Sequence, residues 1–230
     1  MNELGAEETA GREVNSSKIA EAHKRDFWIK ENRKHIPLHF RLRKCARIVN
    51  AVAQGRKCDL LDVGCGPATL MNLLDKNVSY YGIDLAIQKP APNLKETDIL
   101  KEPVAFGDMR FDIVVAQGLF EYMADLESQK FSEIAQVLRE DGTFIVSYTN
   151  FSHRDARLFK AFSNVRTEQS FQQDLERYFR VERRFPGSHN WRGGQPARKV
   201  IMAANKYVNF EIPFLSPKLA VDYFYVCRPR

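Results

Sequence analysis

Leu60-Leu61-Asp62-Val63-Gly64-Cys65-Gly66-Pro67-Ala68-Thr69 is the stretch from which the fold can be read. A short apolar run enters two glycines, which let the backbone turn sharply and approach a ligand. Pro67 then offers a favourable first residue for a following helix. The spacing predicts strand, turn and helix, with a ligand above the strand's carboxyl end. The loop is selective about that ligand. A dinucleotide fingerprint GxGxxG places glycine or alanine at position 69, where threonine stands, and no GxxxxGK[ST] run occurs anywhere. Asp62 lies two residues before Gly64, where a carboxylate repels a pyrophosphate and attracts an ammonium or sulfonium group.

Outward from this loop the hydrophobic period keeps to strands. Apolar runs at 58–63, 78–83, 94–97 and 111–116 are separated by helical or loop-like stretches. That alternation is expected of a parallel sheet covered on both faces. Phe131, Ile134, Ala135 and Leu138 mark a helix, Asp141-Gly142 a turn, and 143–149 a further strand. The fold class is α/β, a Rossmann-like doubly wound sheet. On the N-terminal side, a helix is predicted from Ser16 or Ser17 to about Lys34, broken at Ile36-Pro37. A second follows, with Leu42, Cys45, Ala46, Val49, Val52 and Ala53 on one face and Gly55 at its end. On the C-terminal side, 151–177 read as one or two helices, 178–185 as a strand and 220–227 as the last strand. The expected organisation is a loose tail over 1–15 and one domain over 16–230. Within that domain, 16–57 form N-terminal helices, 58–150 the ligand-binding core and 151–230 a C-terminal half whose insertion at 186–217 contributes to a substrate site.

The 230 residues are 44% hydrophobic and 28% charged, ordinary for a domain that buries a sizeable core. No apolar run approaches the roughly 18 to 20 residues that a membrane span requires, and the opening is polar and acidic, unlike a secretory leader. Cys45, Cys58, Cys65 and Cys227 are widely spaced, without a CxxC pair or zinc-ligand spacing. No metal is expected, and reduced thiols in the cytoplasm fit this usage. The net charge of +6 is unevenly spread: +6 over 1–57, −8 over 58–150 and +8 over 151–230.

The acidic middle carries the chemistry. Asp84 closes the second strand 18 positions after Gly66, near the roughly 20-residue offset at which an acid meets ribose hydroxyls in such sheets. Asp98, after the third strand, is placed to accept from an exocyclic amine, with Ile99 packing on a base. LLDVGCGPA, YYGIDLA, TDIL, FDIVVAQGLFEYMAD and LREDGTFIVSYTN, in that order, resemble the motifs of class I S-adenosylmethionine-dependent methyltransferases, especially the small-molecule branch, over about residues 57–150. The resemblance implies seven strands with the last antiparallel, and N-terminal helices acting as a lid. It places Asp62, Gly64 and Gly66 around the methionine portion of S-adenosyl-L-methionine and Asp84, followed by Leu85, at the ribose. Asp98 and Ile99 fall at the adenine, and Gln117 beside the sulfonium. Ala68 stands where many relatives have glycine.

Methyl transfer from a sulfonium is an in-line displacement with an already activated donor, so alignment and exclusion of water matter more than a fixed catalytic residue. The expected activity is transfer to O, N or C of a small metabolite in biosynthesis or tailoring. RNA methylation and cofactor binding without methylation are the alternatives. The (D/N)PP(Y/F) signature of amino-methylating DNA enzymes is replaced by Gln117-Gly118-Leu119-Phe120, and no Pro-Cys dipeptide exists for cytosine-C5 chemistry. Candidate bases are Tyr122, where relatives of the FDxVxxxxxLEH type carry histidine, then His153, Tyr148, His23, His35 and His39. Phe27, Trp28 and Phe40 are candidates for a lid. Arg41 and Arg43 read as solvated surface, with contact to the cofactor's carboxylate as the other reading. The basic flanks allow an anionic acceptor or an ordinary solvated surface. No membrane association is expected.

Overall fold

β-Branched and aromatic residues flanked by glycine, aspartate and proline give extended segments, and seven of these pair into one sheet. The computed structural model describes residues 24–32, 40–151, 162–189 and 219–230. The strands are β1 (Cys58–Val63), β2 (Val78–Asp84), β3 (Leu94–Glu96), β4 (Phe111–Gln117), β5 (Leu138–Thr149), β6 (Phe179–His189) and β7 (Ala220–Pro229). Their order is β3-β2-β1-β4-β5-β7-β6. β1 to β5 run parallel, and β7 is antiparallel to both β5 and β6. This is the seven-stranded Rossmann-like sheet that the motif order implies.

The register positions the site. Val63 is level with Ile83 and Ala116, and Gln117 with Ser147. The loops leaving β1, β2, β4 and β5 therefore open on one edge.

Helices α1 (Arg25–Asn32), α2 (Phe40–Ala53), α3 (Glu127–Val137) and α4 (Glu168–Leu175) accompany the sheet. Consecutive strand residues point to opposite faces, so each strand feeds two cores. On one face Cys45, Ile48 and Val49 of α2 pack against Leu60, Val115, Ile145 and Phe224. On the other, Phe131 and Ile134 of α3 and Phe171 of α4 meet Leu61, Val114, Val146 and Tyr225. Among the described residues no helix is long and apolar enough to cross a membrane.

Three local expectations are corrected. After the glycine loop the chain makes only a 3₁₀ turn over Thr69–Leu73, because β2 already starts at Val78. Mutual Asn50 and Asp75 hydrogen bonds tie this short connection to α2. Leu138 belongs to β5 rather than to the preceding helix. It pairs with Phe111 while Thr143 pairs with Ile113, so Arg139 to Gly142 bulge from a continuous strand instead of turning ahead of it. β6 runs on to His189 through Pro186, a residue that edge strands accommodate. In the C-terminal half, the helix among the described residues of 151–177 is α4, capped by Thr167 Oγ1 accepting from Ser170 N at 3.2 Å. The tail over 1–15, the helix start near Ser16 and most of the 186–217 insertion lie outside the described residues.

Candidate functional site

At the carboxyl edge of the sheet lies a cavity of about 440 Å³, lined from α1, α2 and the loops after β1 to β5. Gly64 (φ +76°) and Gly66 (φ +54°) hold the first loop in the left-handed region. A side chain at Gly64 would put its Cβ 2.9 Å from Leu119 Cδ1 and narrow the cavity at that point. Ala68 takes the same conformation at φ +54° although it carries a Cβ.

The acidic residues sit at successive strand ends. Asp62 is 5% exposed, and Tyr80 donates its hydroxyl to Asp62 Oδ2 at 2.7 Å. Burial pushes the Asp62 carboxyl up to about 7; the Tyr80 hydrogen bond opposes this and the Asp84 charge adds to it. Asp84 accepts from Gly66 N and Ala86 N, both at 2.8 Å. Its carboxylate thereby locks the glycine loop to the end of β2. Asp98 accepts from Leu100 N at 3.2 Å and Lys101 Nζ at 2.7 Å, so it organises its own turn while lining the cavity. Gln117, at the end of β4, also lines the cavity, and its Oε1 is buried without a hydrogen-bond partner. A buried acceptor left unmade costs about 1–3 kcal/mol, so a ligand donor is the fitting complement.

Thus Asp62, Gly64, Gly66, Asp84, Leu85, Asp98, Ile99 and Gln117 converge on one cavity. Tyr122 and Trp28 join them, ring to ring at 5.1 Å. Tyr148 does not. It is fully buried, donates to Asn164 O at 2.6 Å and stacks on Phe171, so it is a core residue. Arg41 is not solvated surface: it lines the cavity and pairs with the fully buried Asp222 at 2.9 Å. Arg43 is exposed. His23, His35, His39 and His153 lie outside the described residues, as does the side chain of Phe40.

Three contributors had no place in the sequence reading of the site. Glu121, Thr149 and Phe162 all line the cavity. Glu121 is 1% exposed, and its Oε1 accepts from Thr149 N at 2.9 Å and Thr149 Oγ1 at 2.8 Å. Burial raises its pKa, against the hydrogen bonds from Thr149 and the charge of Arg41. The available signal was its position beside Tyr122, within the same motif.

A family model described as a methyltransferase domain matches residues 38–185. The chain belongs to this family. It is a class I S-adenosylmethionine-dependent methyltransferase, and S-adenosyl-L-methionine is its cofactor. No curated protein matches it at a significant level. Among solved structures, this methyltransferase resembles a chain of the complex between the Haloferax volcanii Trm112 activator and a methyltransferase. The TM-score is 0.60 at 15% identity, with 89% of this chain and 95% of that one covered. It also resembles the N-methyltransferase NodS of Bradyrhizobium japonicum WM9 bound to S-adenosyl-L-homocysteine (TM-score 0.54, 13% identity, 94% and 98% covered). A third is a SAM-dependent methyltransferase of Archaeoglobus fulgidus (0.57, 14%, 81% and 92%). At these identities the likeness is one of fold.

Proposed function

We propose that this methyltransferase moves a methyl group to O, N or C of a small metabolite in a biosynthetic or tailoring reaction. Its cofactor would lie along the carboxyl edge of β3, β2, β1 and β4. When bound, S-adenosyl-L-methionine supplies the activated methyl group. Asp98 and Ile99 receive the adenine edge and face, and Asp84, with Leu85, receives the ribose. Gly64 and Gly66 leave room for the methionine portion, whose ammonium faces Asp62. Gln117 Oε1 accepts from a donor of the same portion. Trp28 and Tyr122 cover the cavity and exclude water.

The observation that carries this reading is the orphaned Gln117 Oε1, set among three carboxylates at successive strand ends in one cavity. The cavity volume also falls within the roughly 300–1,000 Å³ of small-molecule sites, as a bound cofactor requires. Titration calorimetry with S-adenosyl-L-homocysteine tests it. Saturable binding is expected, weakened at least tenfold by Asp84→Asn and by Gln117→Leu. Equal affinity in all three proteins would refute the assignment.

A further inference from the structure

The residues assigned to the cofactor occupy the β3 to β4 side of the cavity. Toward β5 stands a buried carboxylate that they do not use. Glu121 Oε1 is satisfied by Thr149, but Oε2 is buried and accepts no hydrogen bond. The residue is firmly held, since its main-chain oxygen accepts from Ser163 N at 3.0 Å and Asn164 N at 2.9 Å. An ionised oxygen left in that state is costly, and a proton or a ligand's donor relieves it.

The surroundings define the donor's chemistry. Trp28, Tyr122 and Phe162 line the same cavity, with Tyr122 edge-on to Trp28 at 5.1 Å and to Phe162 at 4.9 Å. Aromatic faces attract cations. The described lining holds four carboxylates, Asp62, Asp84, Asp98 and Glu121, against Arg41, which is itself paired with Asp222. Such a lining disfavours an anionic acceptor and concentrates an ammonium.

Resting on the methyltransferase reading above, we propose that the acceptor is a primary or secondary amine and that Glu121 Oε2 binds it and takes its proton. The bound ammonium gives one proton to Glu121 Oε2, which frees the nitrogen lone pair. That pair forms the new C–N bond as the C–S bond of the sulfonium breaks. The C–S electron pair stays on sulfur as a thioether, and the positive charge passes to the methylated ammonium. Glu121 then releases its proton to solvent.

The test uses protein saturated with S-adenosyl-L-homocysteine and carrying Trp191→Phe, so that Trp28 alone reports by fluorescence. The probes are 2-phenylethylamine, 2-phenylethanol and 3-phenylpropionate. The amine is expected to bind at least tenfold more tightly than either analogue. Glu121→Gln retains an oxygen for Thr149 but presents an amide N–H in place of Oε2, and should abolish that preference. Preference for the carboxylate, no discrimination or no binding of any probe by the Trp191→Phe protein overturns the proposal, whether or not the Gln variant folds. An undiminished amine preference in the Gln variant does so too. Calorimetry on the same samples keeps the two readings apart: failure to bind S-adenosyl-L-homocysteine sinks the cofactor assignment, whereas binding without amine preference sinks only the role of Glu121.

Discussion

At Asp62 folding and ligand capture pull in opposite directions. Its carboxyl titrates near 7 in the folded protein against an ordinary 3.8, so between these values the folded state holds a proton that the unfolded chain has lost. Stability contributed by this group therefore falls as pH rises from about 4 to 7, by an amount of order 4 kcal/mol. Asp62→Asn removes that cost and should raise the denaturant midpoint at pH 8 while leaving it nearly unchanged at pH 4, as urea titrations at the two pH values would show. The same variant should lose cofactor affinity. In the wild type an arriving ammonium favours the ionised form, so binding S-adenosyl-L-homocysteine at pH 6 should release up to one proton and weaken as pH drops below 7. Calorimetry in two buffers of different ionisation enthalpy measures this release, and none would be seen in Asp62→Asn. Ala68 presents a nearer balance. Its left-handed backbone costs about 1–2 kcal/mol. Glycine would relieve that but would lose a buried methyl worth about 0.8 kcal/mol and add about 0.4–1 kcal/mol of unfolded-chain entropy. Ala68→Gly should therefore stay within about 1 kcal/mol of wild type, a Tm change of no more than about 4 °C by calorimetric scanning. The near cancellation explains how alanine is tolerated at this left-handed position.

Between elements, the decisive tie joins α2 to the outer strands. Lys44 Nζ donates to Pro186 O at 2.6 Å and Gly187 O at 3.1 Å, while Arg41, one turn earlier, pairs with Asp222 of β7. Burial lowers the Lys44 pKa to about 8, partly offset by Asp222. A Cβ on Gly187 would fall 2.5 Å from Asp222 Oδ1, whose carboxylate Arg41 fixes. Gly187→Ala should cost about 1–3 kcal/mol and displace Arg41. Gly107→Ala, at φ +59° with nothing within 4 Å of the new Cβ, is the control with backbone strain alone, and denaturant unfolding of both variants checks the contrast. None of this tie is periodic, so none was legible in the sequence. The face of α2 was legible, because Cys45, Ala46 and Val49 recur at helical spacing. So were the strands β1, β2 and β4, and the family resemblance of their motifs implied the cofactor. What stayed hidden depends on partners distant in sequence. Tyr148 reads as a candidate base until Phe171 and Asn164 enclose it, and nothing singles out Glu121 until Thr149 and the 163–164 backbone close around it. Asp141-Gly142 misled because a bulge and a turn use the same residues.

Over the whole molecule, Asp62, Asp84, Asp98 and Glu121 of the acidic middle line the cavity, while basic side chains such as Arg177, Arg180 and Arg183 remain exposed. The net +6 therefore describes a surface unlike the site. Screening acts mainly on exposed charges, so cofactor affinity should change less than twofold between 50 and 300 mM salt, because Asp62 is buried. RNA binding through phosphates would instead weaken steeply over that range, and the two salt slopes separate a metabolite enzyme from an RNA enzyme. Ligand linkage gives a further whole-chain prediction. A ligand that binds only the folded state adds about 2.7 kcal/mol at one hundred times its Kd, which for a chain of this size raises Tm by roughly 5–11 °C. S-adenosyl-L-homocysteine should produce that rise in a thermal scan and NADH should produce none, because the carboxylate of Asp62 faces the glycine loop where a pyrophosphate would have to lie. Equal stabilisation by both ligands would show that the loop does not discriminate by charge, and the electrostatic argument that begins at Asp62 would fail for the molecule as a whole.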